Sequence, residues 1–156
     1  MNTAPISKIK IESKLALIRD SLFSLEQLAK IGETEWVADK KNFAVSEHYL
    51  RRALEAVFDI AGHIVSRYPM ASGKRPTNYK GLVLVMAEKN CERRVWKNRL
   101  VQMADYRNRM VHFYDEITDQ EMYYILKNKL SDIEIYANAI VYLLKNPGDF
   151  ILTIEE

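Results

Sequence analysis

The chain has 156 residues, of which 48% are hydrophobic, and a net charge of +2, which suits one globular domain with its own core. Its single cysteine, Cys91, excludes an intramolecular disulfide and a zinc site built from cysteines. No apolar run reaches the roughly 18 residues of a membrane span, and lysines and Glu12 interrupt the N-terminus where a signal peptide would be apolar. We therefore expect a cytoplasmic protein with no membrane association.

The N-terminal half of the chain predicts two long amphipathic helices. Apolar residues that step by three and four indicate a first helix at about residues 6–31, ending near Gly32. Thr34 is expected to cap a second helix that runs to about residue 68, with a potential break near Asp39. The core stripe expected for this second helix is Leu50, Leu54, Val57, Ala61, Ile64 and Tyr68.

The C-terminal half predicts a loop and three further helices. A loop at residues 69–78 and a short helix at about 79–89 precede a basic helix at about 92–112. Thr118, with Glu121 three residues later, is a capping-box pattern that begins the last helix. The core stripe expected for that helix is Met122, Leu126, Leu130, Ile133, Ala137, Ile140 and Leu144.

These elements predict an all-α fold. The last helix is expected to stop at Asn146-Pro147-Gly148, and no strand alternation of useful length and no internal repeat is present. The expected architecture is a bundle of four to five long helices. We expect a single domain at residues 1–146 and a short C-terminal tail at 147–156.

Charge is distributed unevenly along the second half of the chain. Residues 93–109 carry six basic side chains against one acid, whereas residues 115–156 carry nine acids and three lysines. A basic helix followed by an acidic one suggests a patch that binds an anion, although charge alone favours a solvated charged face.

The most informative residue of the basic helix is Arg107. It falls on an apolar stripe, between Met103 and Met110, that also holds Trp96, Leu100 and Tyr114. A guanidinium on an apolar seam is costly unless it is paired or faces a polar pocket. A purely structural Arg107 is the alternative for this stretch taken in isolation.

Arg107 and His112 do not share a face of a straight helix, because five residues correspond to a rotation of about 140°. Asn108 and His112 are four apart and do share one. The pair can therefore meet if the helix ends or unwinds near His112, or if two copies of the helix form the site at a dimer interface. Without either arrangement, His112 is simply a surface histidine.

An Arg and a His at one site could cut RNA without a metal ion. Histidine can take or give a proton near neutral pH, so His112 could activate a ribose 2′-hydroxyl. Arginine stays charged and binds phosphate through two parallel hydrogen bonds, so Arg107 could stabilise the charge that grows on the phosphate oxygens. Two copies of the His at a two-fold interface could act as base and acid.

The other histidines have simpler interpretations. His48 lies on the polar face of the second helix, and His63 follows Asp59 by four residues. Both are expected to be solvated or paired locally. No His-x₃-His or carboxylate cluster has the spacing of metal ligands, so no metal and no cofactor is expected.

The residues Arg107-Asn108-x₃-His112-x-Tyr114 resemble the Arg-x₄-His-x-Tyr signature of the HEPN superfamily. They are most similar to the HepT toxins of prokaryotic HepT–MntA toxin–antitoxin pairs. The resemblance covers roughly residues 36–144. It also rests on Asn42-Phe43, Leu54-Glu55-Ala56, residues 59–64, Pro76-x₂-Tyr79 and Ile117-Thr118.

This resemblance implies a HEPN homodimer with the motif in a cleft at the interface, and a metal-independent endoribonuclease toxin. Arg107 would bind and polarise the phosphate, His112 would be the general acid and base, and Asn108 would support the site. Tyr114 matches the tyrosine that an MntA-like nucleotidyltransferase antitoxin modifies with AMP in related systems. The alternative is a non-catalytic HEPN module that binds a nucleotidyltransferase or a nucleotide and cleaves nothing.

Overall fold

The structure is a computed structural model that describes residues 4–67, 94–112, 117–150 and 152–156, without the side chains of residues 94–97 and of His112. The described residues form an all-α fold, as predicted. The helices are α1 Lys8–Ala29, α2 Glu33–Ala38, α3 Lys40–Val65, α4 Arg94–His112, α5 Asp119–Asn128 and α6 Leu130–Lys145. The predicted loop at 69–78 and the predicted helix at 79–89 lie outside the described residues. No helix of the described part is long and apolar enough to cross a membrane.

The break predicted near Asp39 separates α2 from α3. The Asp39 carboxylate accepts a hydrogen bond from the Lys41 amide at 3.0 Å and so caps α3. The predicted cap at Thr34 is wrong, because Gly32 is the N-cap of α2 and its carbonyl accepts from the Trp36 amide at 2.8 Å. The helix begins earlier than predicted, with Glu33 in its first turn, where a negative charge is favourable.

Among the described residues, α1 packs closely along α3 and the two helices form the centre of the core. The helices α5 and α6 close the core from the other side, since both contact α1 and α3. The predicted α3 stripe is buried wherever it is described, at Leu50, Leu54, Val57, Ala61 and Ile64. Tyr68, the last residue of that stripe, lies outside the described residues.

The single C-terminal helix expected from the sequence is two helices. Lys129 interrupts it with φ −116° and ψ −8°. The interruption lets α5 contact α2, while α6 lies along α1 and α3. The predicted cap is confirmed, because the Thr118 hydroxyl accepts a hydrogen bond from the Glu121 amide at 3.1 Å. The predicted core residues are buried except for the half-buried Leu144.

The two ends of the chain meet in a short parallel strand pair that the sequence analysis did not predict. Strand β1, Ile6–Ser7, pairs with β2, Ile154–Glu155. A 3₁₀ turn at Pro147–Phe150 and the buried Leu152 lead the chain back to this pair. Two-residue strands are too short to produce an alternating pattern, so their pairing could not be seen in the sequence.

Candidate active site

Helix α4 carries Arg107, Asn108 and His112 and packs against α3. Its predicted apolar stripe is buried where its side chains are described, at Leu100, Met103 and Met110. Ala104 adds a fully buried small residue beside that stripe. The stripe therefore fixes the rotation of α4, and with it the direction in which the motif residues leave the helix.

Arg107 lies on this seam with only 12% of its side chain exposed, and it is paired as the sequence analysis required. Its Nε donates to Oε1 of Glu55 at 2.7 Å, within a salt bridge that joins α4 to α3. The side chain of Glu55 is 36% exposed, so the pair sits at the rim of the core. At this distance the bond is charge-assisted and fixes the guanidinium plane.

Asn108 lies directly beside Arg107. Its amide oxygen accepts a long hydrogen bond of 3.4 Å from Nη1 of Arg107. The structure thus brings Arg107 and Asn108 of α4 together with the carboxylate of Glu55 on α3. Asn108 orients one terminal nitrogen of the guanidinium while Glu55 holds the Nε atom.

His112 is the last residue of α4, and the helix is continuous from Arg107 to it. The helix therefore does not unwind between them, and their directions from the axis differ by about 140°. Asn108 and His112 lie about 40° apart, on one side of α4. The side chain of His112 and all of Tyr114 are outside the described residues.

A second salt bridge fixes the end of α4 against the start of α5. Arg109 donates to both carboxylate oxygens of Glu121, at 2.6 and 2.7 Å. The Glu121 amide is itself bonded to the Thr118 hydroxyl. Bidentate geometry gives orientation as well as attraction, so this bridge fixes the C-terminal part of α4 relative to the first turn of α5.

Tyr106 is the buried neighbour of the motif on α4. Burial, and then the negative charge of Glu121, raise the pKa of its phenol above 10.0. The phenol therefore stays protonated at neutral pH. Tyr106 helps to line a shallow cleft between α3, α4 and α6 whose rim carries the Arg99–Asp132 salt bridge.

The predictions for the other two histidines have different outcomes. His48 is exposed on α3, with its ring 5.1 Å from that of Tyr49. The expectation of a solvated or locally paired His63 is wrong. His63 is 9% exposed and accepts a hydrogen bond from the Ser7 amide at 3.0 Å, far away in the sequence. Asp59 pairs instead with Lys14 at 3.0 Å.

The sequence does not indicate that Glu55 contacts Arg107. Glu55 lies within the Leu54-Glu55-Ala56 segment that contributed to the family resemblance, and that was the only signal available. Its helical position indicates an exposed residue, whereas its partner comes from another helix. Among the described residues, no group of three or more His, Cys, Asp or Glu side chains could hold a metal ion.

The family model described as "Ribonuclease HepT-like" matches residues 18–140 of the chain. A curated relative, "tRNA nuclease HepT" of Aphanizomenon flos-aquae, is 24% identical over 151 residues, which cover 97% of this chain and 96% of the relative. The expected resemblance to the HepT-like proteins is thereby confirmed.

Solved structures share the fold. A crystal structure of a toxin–antitoxin with AMP-PNP aligns with a TM-score of 0.75 at 22% identity, covering 86% of this chain and 99% of that one. A tri-AMPylated Shewanella oneidensis HEPN toxin in complex with an MNT antitoxin aligns with a TM-score of 0.74 at 22% identity, covering 85% and 97%.

Proposed function

Because the chain belongs to the ribonuclease HepT-like family, we propose that it is a metal-independent endoribonuclease toxin that cuts RNA with Arg107 and His112. The observation that carries this proposal is the placement of Arg107, which is held on the buried seam of α4 by Glu55 at 2.7 Å. A fixed guanidinium beside an amide is suited to a phosphate group. The relative named as a tRNA nuclease supports tRNA as the substrate class.

His112 begins the reaction by taking the proton from a ribose 2′-hydroxyl. The 2′-oxygen attacks the adjacent phosphorus, and the bond from phosphorus to the 5′-oxygen of the next nucleotide breaks. Arg107 stabilises the charge on the non-bridging oxygens as it grows. A protonated His112 of a second copy gives its proton to the leaving 5′-oxygen. The products are a 2′,3′-cyclic phosphate and a 5′-hydroxyl.

The helix geometry supports a two-copy site. The positions of Arg107 and His112 are about 140° apart around one continuous helix. A single α4 with regular helical geometry therefore does not present both residues to one phosphate group. Two α4 helices related by a two-fold axis can place the Arg of one copy near the His of the other. We therefore assign the active form to a homodimer.

The proposed partner is a nucleotidyltransferase antitoxin that uses ATP. The Shewanella oneidensis HEPN toxin is tri-AMPylated and in complex with an MNT antitoxin, which supports such a pair here. The Tyr114 hydroxyl attacks the α-phosphorus of ATP, forms a phosphodiester with AMP and releases pyrophosphate. The bulk and negative charge of the added AMP would repel RNA and block its access to the proposed active site. Both partners are expected to act in the cytoplasm.

Arg107 variants test this function. Arg107→Ala is expected to lower the rate of tRNA cleavage in EDTA by about 10²- to 10³-fold, because one preorganised donor to the transition state is lost. Arg107→Lys should recover part of the rate through its charge. The matched control is Arg99→Ala, on the same helix but paired with Asp132, which should cleave like the wild type. Wild-type cleavage by a folded Arg107→Ala protein would contradict the proposal.

A further inference from the structure

Glu55 contacts the proposed phosphate-binding arginine from a different helix. Its Oε1 accepts from Nε of Arg107 at 2.7 Å, and the two residues are 52 positions apart in the chain. Buried apolar residues surround Glu55 on α3, with Leu54 at 0% and Ala56 at 2% exposure. The carboxylate is therefore carried by a well-packed part of α3, whereas the Glu55 side chain as a whole is 36% exposed.

The bond at Nε restricts the orientation of the Arg107 guanidinium. The Nε atom joins the flexible side chain to the planar group, so fixing it sets both the plane and the direction of the terminal nitrogens. An arginine otherwise has many rotamers, and ordering them during the reaction would cost entropy. Asn108 then contacts the terminal Nη1.

We propose that Glu55 is a positioning residue for the RNA-cleaving reaction, which holds the Arg107 guanidinium in the direction that the transition state requires. This inference rests on the proposed function of Arg107. Glu55 acts through Arg107 and does not touch the substrate. Its role is preorganisation, in which donors are aimed before charge develops on the phosphate.

The charge of Glu55 gives this role a specific kinetic signature. A carboxylate beside the guanidinium repels the RNA phosphate, so removing its charge favours binding of the ground state. The same change frees the guanidinium and weakens its contact with the transition state. We therefore expect kcat to fall while KM stays constant or decreases. Loss of folded protein alone would also lower the apparent kcat at constant KM, so a lower KM and an unchanged melting temperature distinguish a positioning role from a purely structural one.

The test measures kcat and KM for tRNA cleavage in EDTA by purified full-length variants. Glu55→Gln keeps the shape and an oxygen acceptor, and we expect about a tenfold lower kcat with KM unchanged or lower. Glu55→Ala removes the acceptor, and kcat should fall by about 10²-fold. The matched control is Asp59→Asn, one turn further along α3, whose carboxylate pairs with Lys14; its kcat and KM should equal those of the wild type.

Three results would overturn the inference. Both Glu55 variants could retain the wild-type kcat, or they could lose activity through a higher KM alone. A Glu55→Gln protein that cleaves faster than the wild type would instead identify Glu55 as a brake on Arg107. Thermal unfolding of each variant separates these results from loss of the fold, since Glu55→Gln is nearly isosteric and should melt close to the wild type.

Arg107→Ala, measured in the same assay, separates the inference from the function on which it rests. Impaired Arg107→Ala with unimpaired Glu55 variants would overturn the positioning role alone. Wild-type rates for all of them would overturn the proposed function as well. As an independent readout, the Nε–H resonance of Arg107 should shift in Glu55→Gln but not in Asp59→Asn, and an unchanged resonance would contradict a Glu55 bond in solution.

Discussion

His63 ties the start of the chain to α3 through one ring nitrogen. The ring is buried, and Nε2 accepts from the Ser7 amide at 3.0 Å. Burial first, and then the positive charges of Arg67 and Lys10, lower the pKa of His63 from 6.5 to about 4. Protonation would remove the acceptor and place a charge beside two cations, so the folded protein keeps this imidazole neutral.

The free energy of unfolding should therefore depend on pH through His63. Above pH 6.5 the histidine is neutral in both states and its contribution is constant. Between pH 6.5 and about 4 the unfolded chain binds a proton that the folded chain does not, so stability falls as the pH is lowered. The loss attributable to His63 is at most about 3 kcal/mol. Urea unfolding at pH 7.5 and at pH 4.5 measures it.

His63→Gln provides the comparison for this pH dependence. The glutamine oxygen can accept from the Ser7 amide but does not titrate, so the variant should lose less stability between the two pH values. The exposed His48 gives the control His48→Gln, which should retain the wild-type pH dependence. Equal losses in the wild type and in His63→Gln would show that other groups cause the effect.

Tyr114 should carry AMP when the protein is produced with its nucleotidyltransferase partner and ATP. Intact mass spectrometry should show mass increments in units of AMP. Tyr114→Phe should not carry AMP at position 114, because phenylalanine has no hydroxyl to attack the α-phosphorus. Modified protein should also cleave tRNA more slowly than unmodified protein. If the wild-type protein produced with a partner of proven activity carried no AMP, the assignment of Tyr114 would be wrong.

At the residue level, the sequence showed Arg107 but not what holds it. A guanidinium on an apolar stripe can be recognised from spacing along one helix, since the need for a partner is a property of that residue. Glu55 contacts Arg107 from another helix. Ser7, the hydrogen-bond partner of His63, belongs to strand β1. Periodicity says which face of a helix is buried but not which residue of another helix faces it.

Thr118 should stabilise the junction between α4 and α5 through its capping bond. Thr118→Ala removes the acceptor of the Glu121 amide, and the free energy of unfolding should fall by about 1 kcal/mol. Thr118→Ser keeps the hydroxyl and should stay close to the wild type. Urea unfolding of the three proteins tests the cap, and an unchanged Thr118→Ala midpoint would mean that the bond contributes nothing to stability.

At the level of elements, helices with strong periodicity were predicted well and their interruptions only in part. The break at Asp39 could be anticipated because aspartate is a preferred cap. The break at Lys129 has no proline or glycine to mark it in the sequence. It separates α5, which contacts α2, from α6, which contacts α1 and α3. The strand pair between the chain ends depends entirely on long-range contact.

At the level of the whole molecule, we expect a dimer. Arg107, with Glu55 and Asn108 beside it, and the position of His112 are about 140° apart on one continuous helix. In the proposed active form, a second copy related by a two-fold axis would supply the histidine. The chain should therefore run in solution as a particle of about twice 18.2 kDa.

Cleavage of tRNA by the purified, unmodified protein in EDTA, compared between the wild type and His112→Ala, is the decisive experiment for the proposed nuclease. We predict cleavage by the wild type, with 2′,3′-cyclic phosphate ends, and none by His112→Ala of equal helical content and dimer mass. This result would establish a metal-independent nuclease with His112 in its chemistry. Cleavage by neither protein would contradict it, and the chain would then be a helical module that holds a nucleotidyltransferase without cutting RNA.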